Sequence, residues 1–200
     1  MGRTMKLLLF SDLHADTAAA QHLVERAGKA EVLVGAGDFG NVRRHVRVCL
    51  DVLRAIGKPI VLVAGNNEST EELTEACRDW PEASVLHGSA VDIAGLMFFG
   101  LGGGVPVTPF GAWSYDFTEK QAADLLTGCS AACVLVSHSP PRGVLDVDSR
   151  GRSLGSVAVR DAVLRLEPRL VVCGHIHVSS AQHAMLSCSP VVNAGPAGVE

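Results

Sequence analysis

Aromatic side chains are scarce in this chain: six Phe, two Trp and one Tyr among 200 residues. So few rings exclude the stacking platforms on which proteins lay out single-stranded nucleic acid. An excess of positive charge is missing as well, since 17 Lys and Arg stand against 21 Asp and Glu, a net charge of −4. That balance excludes the broad basic field of a non-specific nucleic-acid binder. None of the six cysteines (49, 77, 129, 133, 173, 188) forms a CxxC pair, and most lie in apolar runs, where a thiol acts as a small hydrophobe. This usage fits a reducing compartment. At the start only Leu7 to Phe10 is apolar before Asp12, too short for a signal core or a membrane span, and Lys6 stands where myristoylation needs Ser or Thr. A cytoplasmic protein is expected, with no membrane partner and no stable hold on nucleic acid. What is abundant is apolar surface: 48% of residues are hydrophobic and 19% charged, which excludes a disordered or fibrous chain. At this length one domain over 1–200 is expected, burying about 70% of the surface its unfolded chain exposes.

Short unbroken Leu/Val runs at Lys6–Phe10, Glu31–Gly35 and Pro59–Ala64 predict strands buried on both faces of a parallel sheet. Between them, helices are predicted over Ala15–Lys29 behind an Asp16 cap, over Val42–Ile56, and over Ser69–Cys77, which opens Ser-Thr-Glu-Glu. Beyond Pro81 the pattern changes to Ser84–His87, Ala90–Ile93 and Leu96–Leu101, successive strands with glycine-containing turns that predict an antiparallel or mixed region. A glycine-rich stretch, Gly102–Tyr115, is expected to be irregular. Thr118–Leu126 and Ser156–Leu166 then read as helices, and Ala132–Val136, Leu170–Cys173 and Ser189–Asn193 as strands.

Five of these apolar runs end in metal-ligating chemistry: Asp12 and His14, Asp38, Asn66, His138, then His175 and His177. The carboxyl ends of strands in an open α/β sheet line one crevice, so residues distant in sequence converge there. The pairs Asp12/His14 and His175/His177 are spaced by two, which in extended chain turns both side chains to one side. Each residue alone has a plainer role as cap, turn former or satisfied histidine. Their coincidence at five strand ends, each beside tight turns, is what points to a shared site. Imidazole, carboxylate and amide without thiolate suit manganese, iron or zinc. Seven donors exceed the need of one ion, and with Asp38 between them they divide over two ions about 3.5–4 Å apart, the arrangement that serves phosphoryl transfer.

The series DLH, GD, GN, SHSPP and GHIH, in this order over nearly the whole chain, resembles the calcineurin-like metallophosphoesterases, in their small prokaryotic branch. The resemblance implies an α/β fold, a four-layer αββα sandwich of two mixed β-sheets flanked by helices. It implies one metal held by Asp12, His14, Asp38 and His177 and another by Asp38, Asn66, His138 and His175, with Mn2+ favoured over Fe or Zn. The function expected is a phosphodiesterase hydrolysing a P–O bond of a small phosphorylated substrate, a nucleotide among the candidates, with a hydroxide bridging the two ions. The alternative is a catalytically weak interaction scaffold on the same fold, which an exposed apolar patch near Gly102–Tyr115 would favour. One departure bears on rate. Where the family has GDxxD and GNH followed by Asp or Glu, this chain has Asn41 and Asn67, so the histidine that protonates the leaving group, and its orienting Asp, are both absent. Arg142, Arg150 and Arg152 offer guanidinium forks suited to phosphate. His22, His45, His87 and His183 have no motif around them and are expected at the surface, and Cys129 and Cys133 as packed thiols.

Overall fold

The computed structural model describes residues 4–200. Strands β1 (Leu7–Phe10), β2 (Val32–Gly35), β3 (Ile60–Leu62) and β4 (Ala83–Val85) form a parallel sheet in that order, and Val199 adds an antiparallel bridge to Leu9 on the free side of β1. A second, mixed sheet has the order β5 (Ser89–Ile93), β6 (Leu96–Leu101), β7 (Val134–Ser137), β8 (Leu170–Cys173), β10 (Ser189–Asn193) and β9 (Gln182–Leu186). Its outer pairs are antiparallel and its inner ones parallel.

The unbroken apolar runs follow from two buried faces. In β1, Leu8 and Phe10 point to helices α1 (Thr17–Arg26), α2 (Val46–Leu53) and α3 (Thr70–Ala76), where they meet Leu23, Leu50, Leu53 and Leu73. Leu9 points the other way and packs with Val34, Val61, Phe98, Val136 and Val172 between the sheets. The far face of the second sheet is closed by α4 (Glu119–Leu125) and α5 (Val157–Leu166) through Ala122, Val159 and Val163. The layers are therefore helix, sheet, sheet, helix.

Local chemistry sets the helix starts. Asp16 accepts from the N–H groups of Ala18 and Ala19, while Ser69 with Glu72 and Thr118 with Gln121 make reciprocal caps. The turn after α1 is closed by Lys58, whose Nζ donates to the carbonyls of Ala27, Gly28 and Ala30 at 2.6, 3.0 and 2.6 Å. Lys58→Met is expected to lower unfolding stability by about 1–2 kcal/mol, because three helix-end carbonyls lose a charged donor. Urea denaturation checks this, and an unchanged midpoint would contradict it.

Two expectations are corrected, and one strand carried no signal. Residues 42–45 are not helical: Val42, Arg43 and His45 have positive φ, and the N–H groups of Val42 and Arg43 donate to Asn67, so α2 starts at Val46. Strand β4 belongs to the first sheet, separate from the β5–β6 hairpin. Strand β9 lacks an apolar signal because it is an edge strand with mostly exposed side chains. The stretch Gly102–Tyr115 is irregular, as its glycines predict.

Candidate metal centre

The carboxyl ends of five strands meet at one edge of the sandwich. Asp12 and His14 follow β1, Asp38 follows β2, Asn66 follows β3, His138 follows β7, and His175 and His177 follow β8. All seven come into one region, with Asp12, Asp38, Asn66 and His138 buried and His177 exposed. Four of them, Asp12, His14, Asp38 and His175, hold left-handed backbone at φ of 56°, 47°, 59° and 67°. For residues other than glycine each such conformation costs about 1–3 kcal/mol, and such strain gathers where function requires it. Hydrogen bonds hold the strained loops together: Asp12, His14 and Ala15 donate their N–H groups to the carbonyls of Gly37, Asp38 and Phe39. Gly37 has φ of 92°, and a Cβ there would stand 2.7 Å from Nδ1 of His138. That close approach excludes any side chain.

The donors fit cations. Nδ1 of His138 lies 2.7 Å from the carbonyl of Ala36, which fixes its proton there and leaves the Nε2 lone pair facing inward. That lone pair meets Oδ1 of Asn66 at 3.2 Å and Oδ1 of Asp38 at 3.5 Å. Asn66 presents oxygen on this side because its Nδ2 donates to Ser114 Oγ. Nearby, Nε2 of His14 and Nε2 of His177 lie 3.1 Å apart, with Oδ2 of Asp38 3.7 Å from the first and Oδ1 of Asp12 3.7 Å from the second. In both places acceptors outnumber protons. Two trios have ligand atoms within 4.8 Å of one another, Asp12–His14–His177 and Asp12–Asp38–His138. His175 belongs to neither trio, though its ring lies edge-on to His138 with centroids 5.0 Å apart.

Electrostatics agree with this geometry. Desolvation would raise the Asp12 carboxyl, but His177, His138 and the Ser11 hydroxyl hold it down at about 2. His138 is raised in spite of burial by the charges of Asp38 and Asp12, and His177 is raised by Asp12 beside it. A field that favours a proton at these nitrogens favours a metal cation as well. Burial, with His138 nearby, pushes His175 down to about 4, so its imidazole is neutral at pH 7.

Three supporting residues were not singled out by sequence. Glu68 is wholly buried, and its carboxylate accepts from the N–H groups of Asp38, Phe39, Gly40 and Gly65. Burial and the Asp38 charge push it up to about 7, against the pull of those N–H groups. Its motif position after Asn67 was the available signal. Asn193 donates to the carbonyls of Gly174 and Ile176, which brace the His175 loop. Ser11 donates to Asp12.

Asn67 is built into the site. Its backbone N–H donates to Oδ1 of Asp38 at 2.9 Å and its Nδ2 to Oδ2 at 2.7 Å, while its Oδ1 accepts from Val42 N–H at 2.8 Å. Each Asp38 oxygen thus has one partner and a lone pair left, turned to His138 on one side and His14 on the other. Asn41 is exposed on the rim. Of the three arginines, only Arg152 lines the cleft, paired with Asp148 at 2.7 and 2.8 Å; Arg142 and Arg150 lie outside it. His22, His45 and His183 are exposed as expected, whereas His87 is half-buried against Phe117 and accepts the N–H of Gly102. Cys129 and Cys133 are packed thiols, sulfurs 3.4 Å apart.

Paired carboxylates, imidazoles and an amide at the ends of parallel strands make up a candidate metal centre. Residues 5–200 match the calcineurin-like phosphoesterase superfamily domain, and the chain belongs to that family. None of the curated proteins compared with it matches. Solved structures share the fold. TT1561 of Thermus thermophilus is 18% identical with a TM-score of 0.79, over 97% of this chain and 91% of its own. A phosphopantetheinyl hydrolase from Mycobacterium tuberculosis is 14% identical at 0.61, over 98% and 90%. A dimetal phosphatase from Danio rerio is 13% identical at 0.58, over 96% and 87%. Among the described residues no helix is long and apolar enough to cross a membrane.

Proposed function

We propose that this phosphoesterase uses two divalent transition metal ions, Mn2+ favoured, and acts on phosphodiesters. The observation that carries the reading is Asp38, whose two oxygens face different imidazoles, His138 at 3.5 Å and His14 at 3.7 Å. Asp12, His14, Asp38 and His177 would hold one ion, and Asp38, Asn66, His138 and His175 the other. The chemistry that divalent metal would supply when bound there is Lewis acidity toward the phosphoryl oxygens and activation of water near neutral pH. The chain's own residues hold the ligands in place: Asn67 orients both oxygens of Asp38, Ala36 fixes the tautomer of His138, and Asn193 braces the His175 loop. A diester is favoured over a monoester by charge. Among the described residues the one arginine lining the cleft is paired with Asp148, so beyond the metals the rim adds little positive charge for the second charge of a monoester. We place the enzyme in the cytoplasm.

No histidine stands at the usual acid position, and Asn67 cannot donate a titratable proton. An aryl oxygen leaves readily as an anion, whereas an alkoxide needs a proton worth about 10²–10⁴-fold in rate. With manganese, kcat/KM over a diester series is therefore expected to fall steeply as leaving-group pKa rises. Asn41→Asp with Asn67→His should raise the alkyl end more than the aryl end at matched metal occupancy. A flat series would contradict the role given to the two asparagines.

Exposed Val107 and Phe110 favour a second reading, an interaction scaffold on this fold. Inactivity on the whole series in metal-loaded protein would select it.

A further inference from the structure

The cleft above the ligands holds about 420 Å³, a volume suited to an organic group as well as to phosphate. Its rim is apolar. Val42, Phe110 and Val178, exposed by 47, 51 and 52%, stand on three different loops and all line it, together with Trp113, Leu154 and Ile176. Phe110 and Trp113 are stacked, with rings 13° from parallel and centroids 5.7 Å apart. Phe10, Phe39, Phe98 and Phe99 are fully buried, so a chain poor in aromatics places a stacked pair where it meets water beside the site.

That pair is fixed relative to the ligands. Ser114 Oγ accepts from Nδ2 of Asn66, the N–H of Tyr115 donates to the carbonyl of Asn66, and Arg43 reaches the carbonyl of Trp113 at 3.5 Å. Within the loop, Asp116 accepts from Thr108 and Ser114. The loop carrying the rings is therefore held in register with Asn66. Exposed Asn41 and Ser149 add amide and hydroxyl groups to the same rim.

We infer that Phe110 and Trp113 form a stacking subsite that selects phosphoesters carrying a flat heteroaromatic ring, as in a nucleotide. This rests on the phosphoesterase reading above. The phosphate lies over the ligand floor, the ring lies on the open face of the aromatic pair, and polar atoms at the ring edge meet Asn41 and Ser149. Stacking suits such a ring because the pair offers a flat π-face, and base-on-aromatic contacts tolerate different bases. The subsite sets substrate preference and takes no part in bond breaking.

The test is binding, independent of turnover. Trp80 is buried, so a quench on ligand addition reports Trp113. Manganese-loaded protein is titrated with adenosine monophosphate, ribose 5-phosphate and inorganic phosphate, with fluorescence and calorimetry as readouts. The nucleotide is expected to quench Trp113 and to bind about tenfold tighter than ribose 5-phosphate, about 1.4 kcal/mol. Trp113→Ala and Phe110→Ala should each collapse that ratio toward one, while Val147→Ala, outside the cleft, should preserve it. Equal binding of nucleotide and ribose phosphate overturns the subsite and leaves the phosphoesterase reading standing. Failure of all three ligands to bind overturns the subsite, and the phosphoesterase reading falls with it if the metal-loaded protein also leaves the whole diester series unhydrolysed. Self-association lost on Phe110→Ala, seen by ultracentrifugation, would assign the rim to a second copy of the chain and overturn the proposal as well.

Discussion

Asp38→Ala is expected to lower metal-dependent kcat/KM by about 10³-fold or more, the largest catalytic loss of any single ligand change. The residue faces both clusters of nitrogen donors, so its removal takes a negative charge from each at once. It also leaves the N–H and Nδ2 of Asn67 without their acceptors, which frees the segment that holds Asn66. His177→Ala makes the informative comparison. That side chain is exposed and meets only His14 and Asp12, so its loss should weaken one position and spare the other. Equal, small effects for the two substitutions would remove the argument that Asp38 is shared. Losses of transition-state stabilisation of this size, about 4 kcal/mol, are read from kcat/KM at saturating metal.

The largest loss of stability is expected at Glu68. Its carboxylate is the acceptor for four backbone N–H groups from two different loops, all in a region closed to water. Glu68→Ala leaves those donors unpaired at about 1–3 kcal/mol apiece before relaxation, so a net cost of about 3–5 kcal/mol is expected. For a chain whose whole stability is about 5–15 kcal/mol, that is a large fraction. Glu68→Gln separates hydrogen bonding from charge. Its amide oxygen can keep the Oε1 position, which serves Asp38, Phe39 and Gly65, but its NH2 would then confront the N–H of Gly40. An intermediate loss is expected, read in urea. A Glu68→Ala protein within 1 kcal/mol of the parent would mean these loops are held by other contacts.

The polar ends of the strands were legible because each apolar run stops abruptly at a residue that binds metal well. Asp12, Asp38 and His138 are ordinary one by one and stood out together, through the rule that strand ends converge. The caps at Asp16 and Ser69 were legible for a similar reason, since their chemistry is local. Residues whose roles depend on distant partners were not. The motif position of Glu68 after Asn67 marks the residue but not its role, and only the fold brings the N–H groups of residues 38–40 onto it. The Val42–His45 turn carries helical spacing, yet Asn67 takes its N–H groups and holds it left-handed. The arginines at 142, 150 and 152 were equivalent on the page, and packing puts one of them in the cleft. The stacked rim of Phe110 and Trp113 lies in a loop whose path is set by Asp116 and Asn66, and no periodicity announces it.

The proposal that this cleft holds two metal ions with Asp38 shared between them is tested by counting bound metal. Metal-free protein should be titrated with Mn2+ by calorimetry, with bound metal confirmed by elemental analysis after desalting, for the parent chain, Asp38→Ala and His177→Ala. Two ions per chain are expected in the parent, weakened binding at both positions in Asp38→Ala, and one retained ion in His177→Ala. A parent chain that binds one ion or none, or an Asp38→Ala chain that still binds two as tightly, would contradict the proposal.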